Sequence, residues 1–139
     1  MKILIIDAQG GGMGRQLVTS VKKEFPQAEV GAVGTNSLAS SNMLKAGADF
    51  AATGENAVLV GCRRSDVIIG PVGIAIADSM HGEITPAMAA AVGQSSAKKL
   101  LIPMNQCGNV IVGVKNTSMG YMIEAVIEQL REYVKGYVF

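Results

Sequence analysis

Residues 2–6, Lys-Ile-Leu-Ile-Ile, run through Asp7 almost directly into Gly10-Gly11-Gly12-Met13-Gly14, and no other feature restricts the fold as much. A continuous apolar run is what a strand needs when helices cover both faces of its sheet. Four glycines in the five positions 10–14 mark a tight turn, since glycine adopts backbone conformations other residues avoid. Beyond it Leu17, Val18, Val21 and Phe25 fall at helical spacing, and Pro26 stops that helix.

The alternation continues along the chain, the signature of a parallel, doubly wound sheet. Glu29–Val33 is a second strand. Ser37 is placed to cap a helix with Ala39, Met43 and Ala46 facing inward, ended by Gly47. Ala48–Ala52 reads as a short third strand, with Thr53 as the cap of a helix over Glu55–Arg64. Asp66–Gly70 is a buried strand leading into a loop, Pro71–Ile84. Thr85-Pro86 starts the next helix, because proline at the first helical position gives up no needed donor. Lys99–Pro103 and Asn109–Val114 both read as strands, and the short Met104–Gly108 connection predicts a hairpin between them. Met119, Met122, Ile123, Val126, Ile127, Leu130 and Val134 form one apolar stripe of a last helix, ended by Gly136. Tyr137-Val138-Phe139 is an apolar tail. The expectation is an α/β fold over residues 1–139: one Rossmann-like three-layer sandwich with a mostly parallel sheet and an antiparallel edge hairpin.

Bulk properties narrow the function classes. A net charge of +1 and only 4% aromatic residues provide neither the basic face nor the stacking platforms of a nucleic-acid binder. No apolar run approaches the ~20 residues of a membrane span, and the N-terminus lacks a signal-peptide core, so a cytoplasmic location is expected. Cys62 and Cys107 are too few and too far apart for a zinc site or disulfide framework, and are expected to be reduced thiols. No metal site is expected. Charged residues make up 17% of the chain, against about 25% in a typical domain, while hydrophobic residues make up 49%. Such a surface is expected to be hidden in a homo-oligomer.

The glycine turn carries the main functional signal. Glycines 10, 11, 12 and 14, with Met13 between them, let backbone amides approach a ligand, and the following helix start favours an anion. Arg15 could add a charge. The dinucleotide fingerprint G-x-G-x-x-G is imperfect here, because Gly10, Gly12 and Gly14 are spaced by two and two. The acid expected at the end of the second strand is replaced by Gly34-Thr35-Asn36. A 2′-phosphate finds no arginine or lysine there before Lys45, and the Lys-Ser/Thr pair of a phosphate-hydrolysing loop is replaced by Arg15-Gln16. The glycine run resembles that of short-chain dehydrogenases, but Tyr121 and Tyr133 are followed four residues on by Ala125 and Tyr137 rather than lysine.

Ligands of doubly wound sheets sit beyond the strand ends where strand order reverses. That places Gly70-Pro71-Val72-Gly73 opposite the turn, with Thr35, Asn36, Thr53 to Asn56 and Asn105 at the other strand ends. Each of these also suits ordinary turn and capping chemistry. Asp78-Ser79-Met80-His81-Gly82-Glu83 holds the only histidine with two carboxylates, making His81, Glu83 and Asp78 catalytic candidates.

The segments DAQGGGMG (7–14), GTN (34–36), TGENA (53–57), DVIIGPVGI (66–74), GEITPAM (82–88) and IPMN (102–105) together resemble an uncharacterised bacterial family of short Rossmann-like proteins, known only as a domain of unknown function. That resemblance implies no activity. The residues themselves point to a small anionic, nucleotide-like ligand, with NAD(P) or another nucleotide as possible cofactor. The alternatives are an NAD(P)-dependent oxidoreductase or small transferase, and an oligomeric interaction subunit without a ligand.

Overall fold

The computed structural model describes residues 1–104, 108–115 and 118–136. Among these residues five strands alternate with helices: β1 (Lys2–Asp7), α1 (Gly12–Glu24), β2 (Glu29–Gly34), α2 (Ser37–Lys45), β3 (Phe50–Thr53), α3 (Glu55–Arg64), β4 (Val67–Pro71), α4 (Pro86–Gln94), β5 (Lys98–Ile102) and α5 (Met119–Lys135). A single 3₁₀ turn, Val72–Ala75, follows β4. The strand order is β3-β2-β1-β4-β5, and every pairing is parallel.

Side-chain alternation on β1 explains the three layers. Ile3 and Ile5 face α1, α2 and α5, where they meet Leu17, Val18, Met43 and Ile127. Leu4 and Ile6 face the opposite layer, formed by α3 and α4 with Val58, Ile84, Met88 and Val92. Both faces of the strand are therefore covered, as its unbroken apolar run requires. Each such fully buried aliphatic side chain contributes roughly 1.5–3 kcal/mol relative to exposure. No helix among the described residues is long and apolar enough to cross a membrane.

Among the described residues the antiparallel edge hairpin is absent. The sheet ends at β5, and residues 108–115 form turns and irregular chain. Val110 and Val112 are 72% and 92% exposed, so their β-preference has no neighbouring sheet surface to pack on. Gly113, at φ 88°, also turns the chain out of extended geometry.

Two caps are shifted by one residue. Asn36, not Ser37, caps α2: its Oδ1 accepts from Ala39 N at 2.9 Å. Thr53 is the last residue of β3, and Gly54 opens α3 without a side-chain cap. The Thr53 hydroxyl instead lies 2.7 Å from Ser40 Oγ, which donates to Ala52 O and ties α2 to β3. Thr85 does cap α4, accepting from Met88 N at 3.1 Å.

Candidate functional site

Strand order reverses between β1 and β4, whose outer neighbours lead the chain in opposite directions. A crevice of about 160 Å³ opens there, lined by residues 7–13 and by Pro71, Met80, Met104 and Met119.

The four glycines of the turn play two different parts. Gly11, at φ 72°, is the N-cap of α1, and a Cβ on it would stand 2.8 Å from the Ala39 backbone. A Cβ on Gly14 would meet Met43 Sδ at 2.5 Å and Asp7 Cβ at 2.9 Å. Those two glycines permit α1 to pack closely on α2 and β1. A Cβ on Gly10 or Gly12 would meet nothing within 4 Å, and neither residue has a positive φ. Packing explains two of the four glycines and leaves the two that face open space.

Among the first amides of α1, the N–H of Gly14 donates to Asp7 Oδ2 at 2.7 Å. The Asp7 Oδ1 accepts from Ala8 N at 2.8 Å. The N–H groups of Gly10, Gly12 and Met13 have no partner among the described residues. Asp7 is 6% exposed and lines the crevice. Burial pushes its carboxyl above the usual 3.8; the Gly14 and Ala8 amides pull the other way, and the nearby charge of Glu83 adds to the rise.

Glu83 reaches this site from the loop before α4. Its Oε1 accepts from Gln9 N (2.9 Å), Thr35 Oγ1 (2.7 Å) and Asn36 Nδ2 (2.9 Å). Partial burial raises its pKa, but these three donors and the charge of His81 outweigh that effect and hold the carboxyl below 4.5. A carboxylate therefore does stand at the end of β2, delivered by a distant loop rather than by the strand. The turn is tied down further by Asn36 Nδ2 to Gln9 O (2.9 Å) and Asn42 Nδ2 to Gly10 O (2.8 Å).

The remaining candidates divide between lining, support and surface. Gly10, Gly11, Gly12, Met13 and Pro71 line the crevice. Gly14 supports it from beneath through Asp7. Thr35 and Asn36 are engaged by Glu83, and Arg15 is exposed outside the lining. Gly70 and Gly73 serve packing, since Cβ atoms there would meet Ile6 O at 2.5 Å and Met80 Cε at 2.8 Å. Asp78 and His81 are exposed, both at positive φ, in the same loop as Met80 at φ 56°. Asn105 and Cys107 lie outside the described residues. Cys62 is buried on α3 and its thiol is pushed up to about 11 by burial, partly offset by Lys99. Sequence reasoning missed Asp7, Met80, Met104 and Met119 as crevice residues. Asp7 could have been found as the polar residue ending an apolar strand at the glycine turn.

A sequence profile described as "Domain of unknown function (DUF3842)" matches residues 2–135. No functionally curated protein matches the chain. Among solved structures, a dodecameric FMN-dependent UbiX-like decarboxylase from Escherichia coli O157:H7 is 18% identical. The overlay covers 92% of this chain and 75% of that one, at a TM-score of 0.48. A likeness that low carries neither ligand nor assembly across.

Proposed function

The chain belongs to the family Domain of unknown function (DUF3842), and we propose that it binds a small anionic, nucleotide-like molecule at the crevice between β1 and β4. One observation carries this reading: the Gly12 and Met13 amides open α1 without a protein partner among the described residues, beside two glycines that packing does not require. Free N–H groups and the positive end of the helix dipole favour a phosphate or carboxylate at that point. The crevice volume of about 160 Å³ is below the ~300–1,000 Å³ of ligand pockets for whole drug-sized molecules. It therefore holds part of such a ligand, with the remainder on the open rim.

Thermal-shift and calorimetric titration with ribose 5-phosphate, adenosine monophosphate, NAD(P) and coenzyme A tests this. At least one of these should stabilise the protein, and Gly12→Asp should abolish that response without lowering the melting temperature appreciably. Absence of any response to all of them overturns the reading.

A second reading, acid–base catalysis, has a specific observation behind it. Asp7 and Glu83 are two neighbouring carboxyls whose surroundings push their pKa values in opposite directions, Asp7 up by burial and Glu83 down by its three donors, a pattern that suits the first to carrying a proton and the second to staying ionised. Asp7, on the crevice wall, is then the proton carrier, in place of His81 and Asp78. Turnover of any bound compound that survives His81→Ala but not Asp7→Asn supports it.

The chain is further proposed to form a homo-oligomer. Helix α4, Pro-Ala-Met-Ala-Ala-Ala-Val-Gly-Gln, carries no charge even though Ala87 and Ala90 are exposed. Surface helices normally present a charged outer face. Sedimentation should show a species larger than 14.4 kDa, and Ala90→Glu should shift it toward the monomer.

A further inference from the structure

Four of the eight methionines of the chain line the one crevice at the β1–β4 switch. They come from different parts of the fold: Met13 from α1, Met80 from the loop before α4, Met104 from the chain after β5, and Met119 from the first residue of α5. Thioether side chains are unbranched and polarizable, and they make favourable contacts with aromatic rings. The crevice volume of about 160 Å³ is close to the roughly 150 Å³ of an apolar cavity that accepts a benzene ring. A purely apolar lining would suit a hydrocarbon. Here the buried Asp7 carboxyl stands in the wall, and the amides of Gly10, Gly12 and Met13, without a partner among the described residues, border it. A carboxyl offers about four lone-pair sites when ionised and a donor when protonated. Asp7 uses two of those sites on Ala8 and Gly14.

We propose that this methionine-lined crevice takes one planar nitrogen heteroaromatic ring of about nucleobase size, its faces against the methionine side chains and a polar edge on Asp7. This rests on the reading of the crevice as a ligand site and specifies which part of the ligand enters it. The ring occupies the crevice; the anionic group stays at the rim, on the α1 amides.

The test uses the full chain labelled with ¹³C at the methionine methyls, its eight signals assigned by single Met→Leu variants. Adenine and nicotinamide, which carry no phosphate, are titrated separately from ribose 5-phosphate. A ring probe should move the methyls of Met13, Met80, Met104 and Met119 upfield by ring current. It should leave Met1 unmoved, since that residue lines a separate cavity with Phe25 and Val134. Met104→Ala and Met119→Ala should each weaken ring binding by about two- to tenfold, the range of a sulfur–aromatic contact. Ribose 5-phosphate alone carries no aromatic ring and should produce no upfield shift at the four methyls.

Ring probes that move none of the four, or that move Met1 equally, overturn the proposal. If ribose 5-phosphate binds while both ring probes fail, the anion site stands and the ring pocket falls. If ring probes act and no phosphate compound binds, the ring pocket stands and the anion site falls.

Discussion

At the scale of single residues, the glycine turn makes a divided prediction. Gly14→Ala forces a Cβ into Met43 and Asp7, and such overpacking costs about 1–3 kcal/mol. Gly11→Ala combines the Ala39 backbone contact with a left-handed conformation that itself costs about 1–2 kcal/mol. Gly12→Ala meets nothing and replaces a glycine in a helical turn, so stability should be unchanged or rise by up to about 1 kcal/mol. Urea unfolding of the three variants checks this, and equal losses in all three would refute the division. Glu83 makes a second prediction. Glu83→Ala removes the acceptor for Gln9, Thr35 and Asn36, and for a partly exposed charged acceptor about 1–2 kcal/mol should be lost at neutral pH. The folded carboxyl titrates below 4.5, so its contribution is complete above that value and disappears as pH falls through the folded pKa. The gap between wild type and Glu83→Ala should therefore stay constant from neutral pH down to the unfolded value and close below it. Asp7 acts in the opposite sense: its pKa is raised, so its ionisation withdraws stability as pH rises from 3.8 through the folded value. Neither effect could be read along the chain, because both arise from burial and from partners such as Gln9 and Glu83, 74 residues apart.

At the scale of elements, α4 depends on the residue that caps it. Thr85 Oγ1 accepts from Met88 N and donates to Glu55 Oε1 at 2.6 Å, joining the starts of α3 and α4. Thr85→Ala should cost about 1–2 kcal/mol by thermal unfolding, and Thr85→Ser should restore most of it. A loss equal in both variants would assign the effect to the threonine methyl instead. This cap was legible because Thr-Pro is a local signal whose geometry needs no distant partner. The helix Glu55–Arg64 and the stripe from Met119 to Leu130 were legible for a related reason, since periodicity records which face is buried. The misplaced cap at Ser37 shows the limit: Asn36 and Ser37 are both good caps by composition, and only the extended backbone of Asn36 decides between them. The segment 109–114 failed for a deeper reason. Its alternating valines have strand propensity, but propensity becomes structure only where a neighbouring strand supplies a surface, and β5 is the edge.

At the scale of the whole molecule, the β3-β2-β1-β4-β5 order opens a crevice where the ends of β1 and β4 part. The crevice position was legible because order reversal and a glycine turn coincide at β1, and Asp7 follows from the same place as the polar end of that strand; Glu83 beside it was not legible, since it arrives by loop closure. With a net charge of +1, the molecule exerts little long-range field, so the proposed anion would be governed by the charges beside it. An anion on the Gly12 and Met13 amides gains from the α1 dipole and is opposed by Asp7, which already holds the Gly14 amide. Two unit charges roughly 5 Å apart at an effective dielectric of about 20 repel by about 3 kcal/mol. Binding should therefore favour the protonated form of Asp7, and affinity should fall by tenfold or more as pH rises through its raised pKa. Sulfate is the suitable probe, because a phosphate ester itself titrates near pH 6. Glu83 stays ionised above 4.5 and adds no slope there, and His81→Ala removes any contribution from the only histidine. Calorimetry across this range should give a falling sulfate affinity in wild type and in His81→Ala, but a flat profile in Asp7→Asn. A flat wild-type profile would mean that the anion does not share the α1 terminus with Asp7.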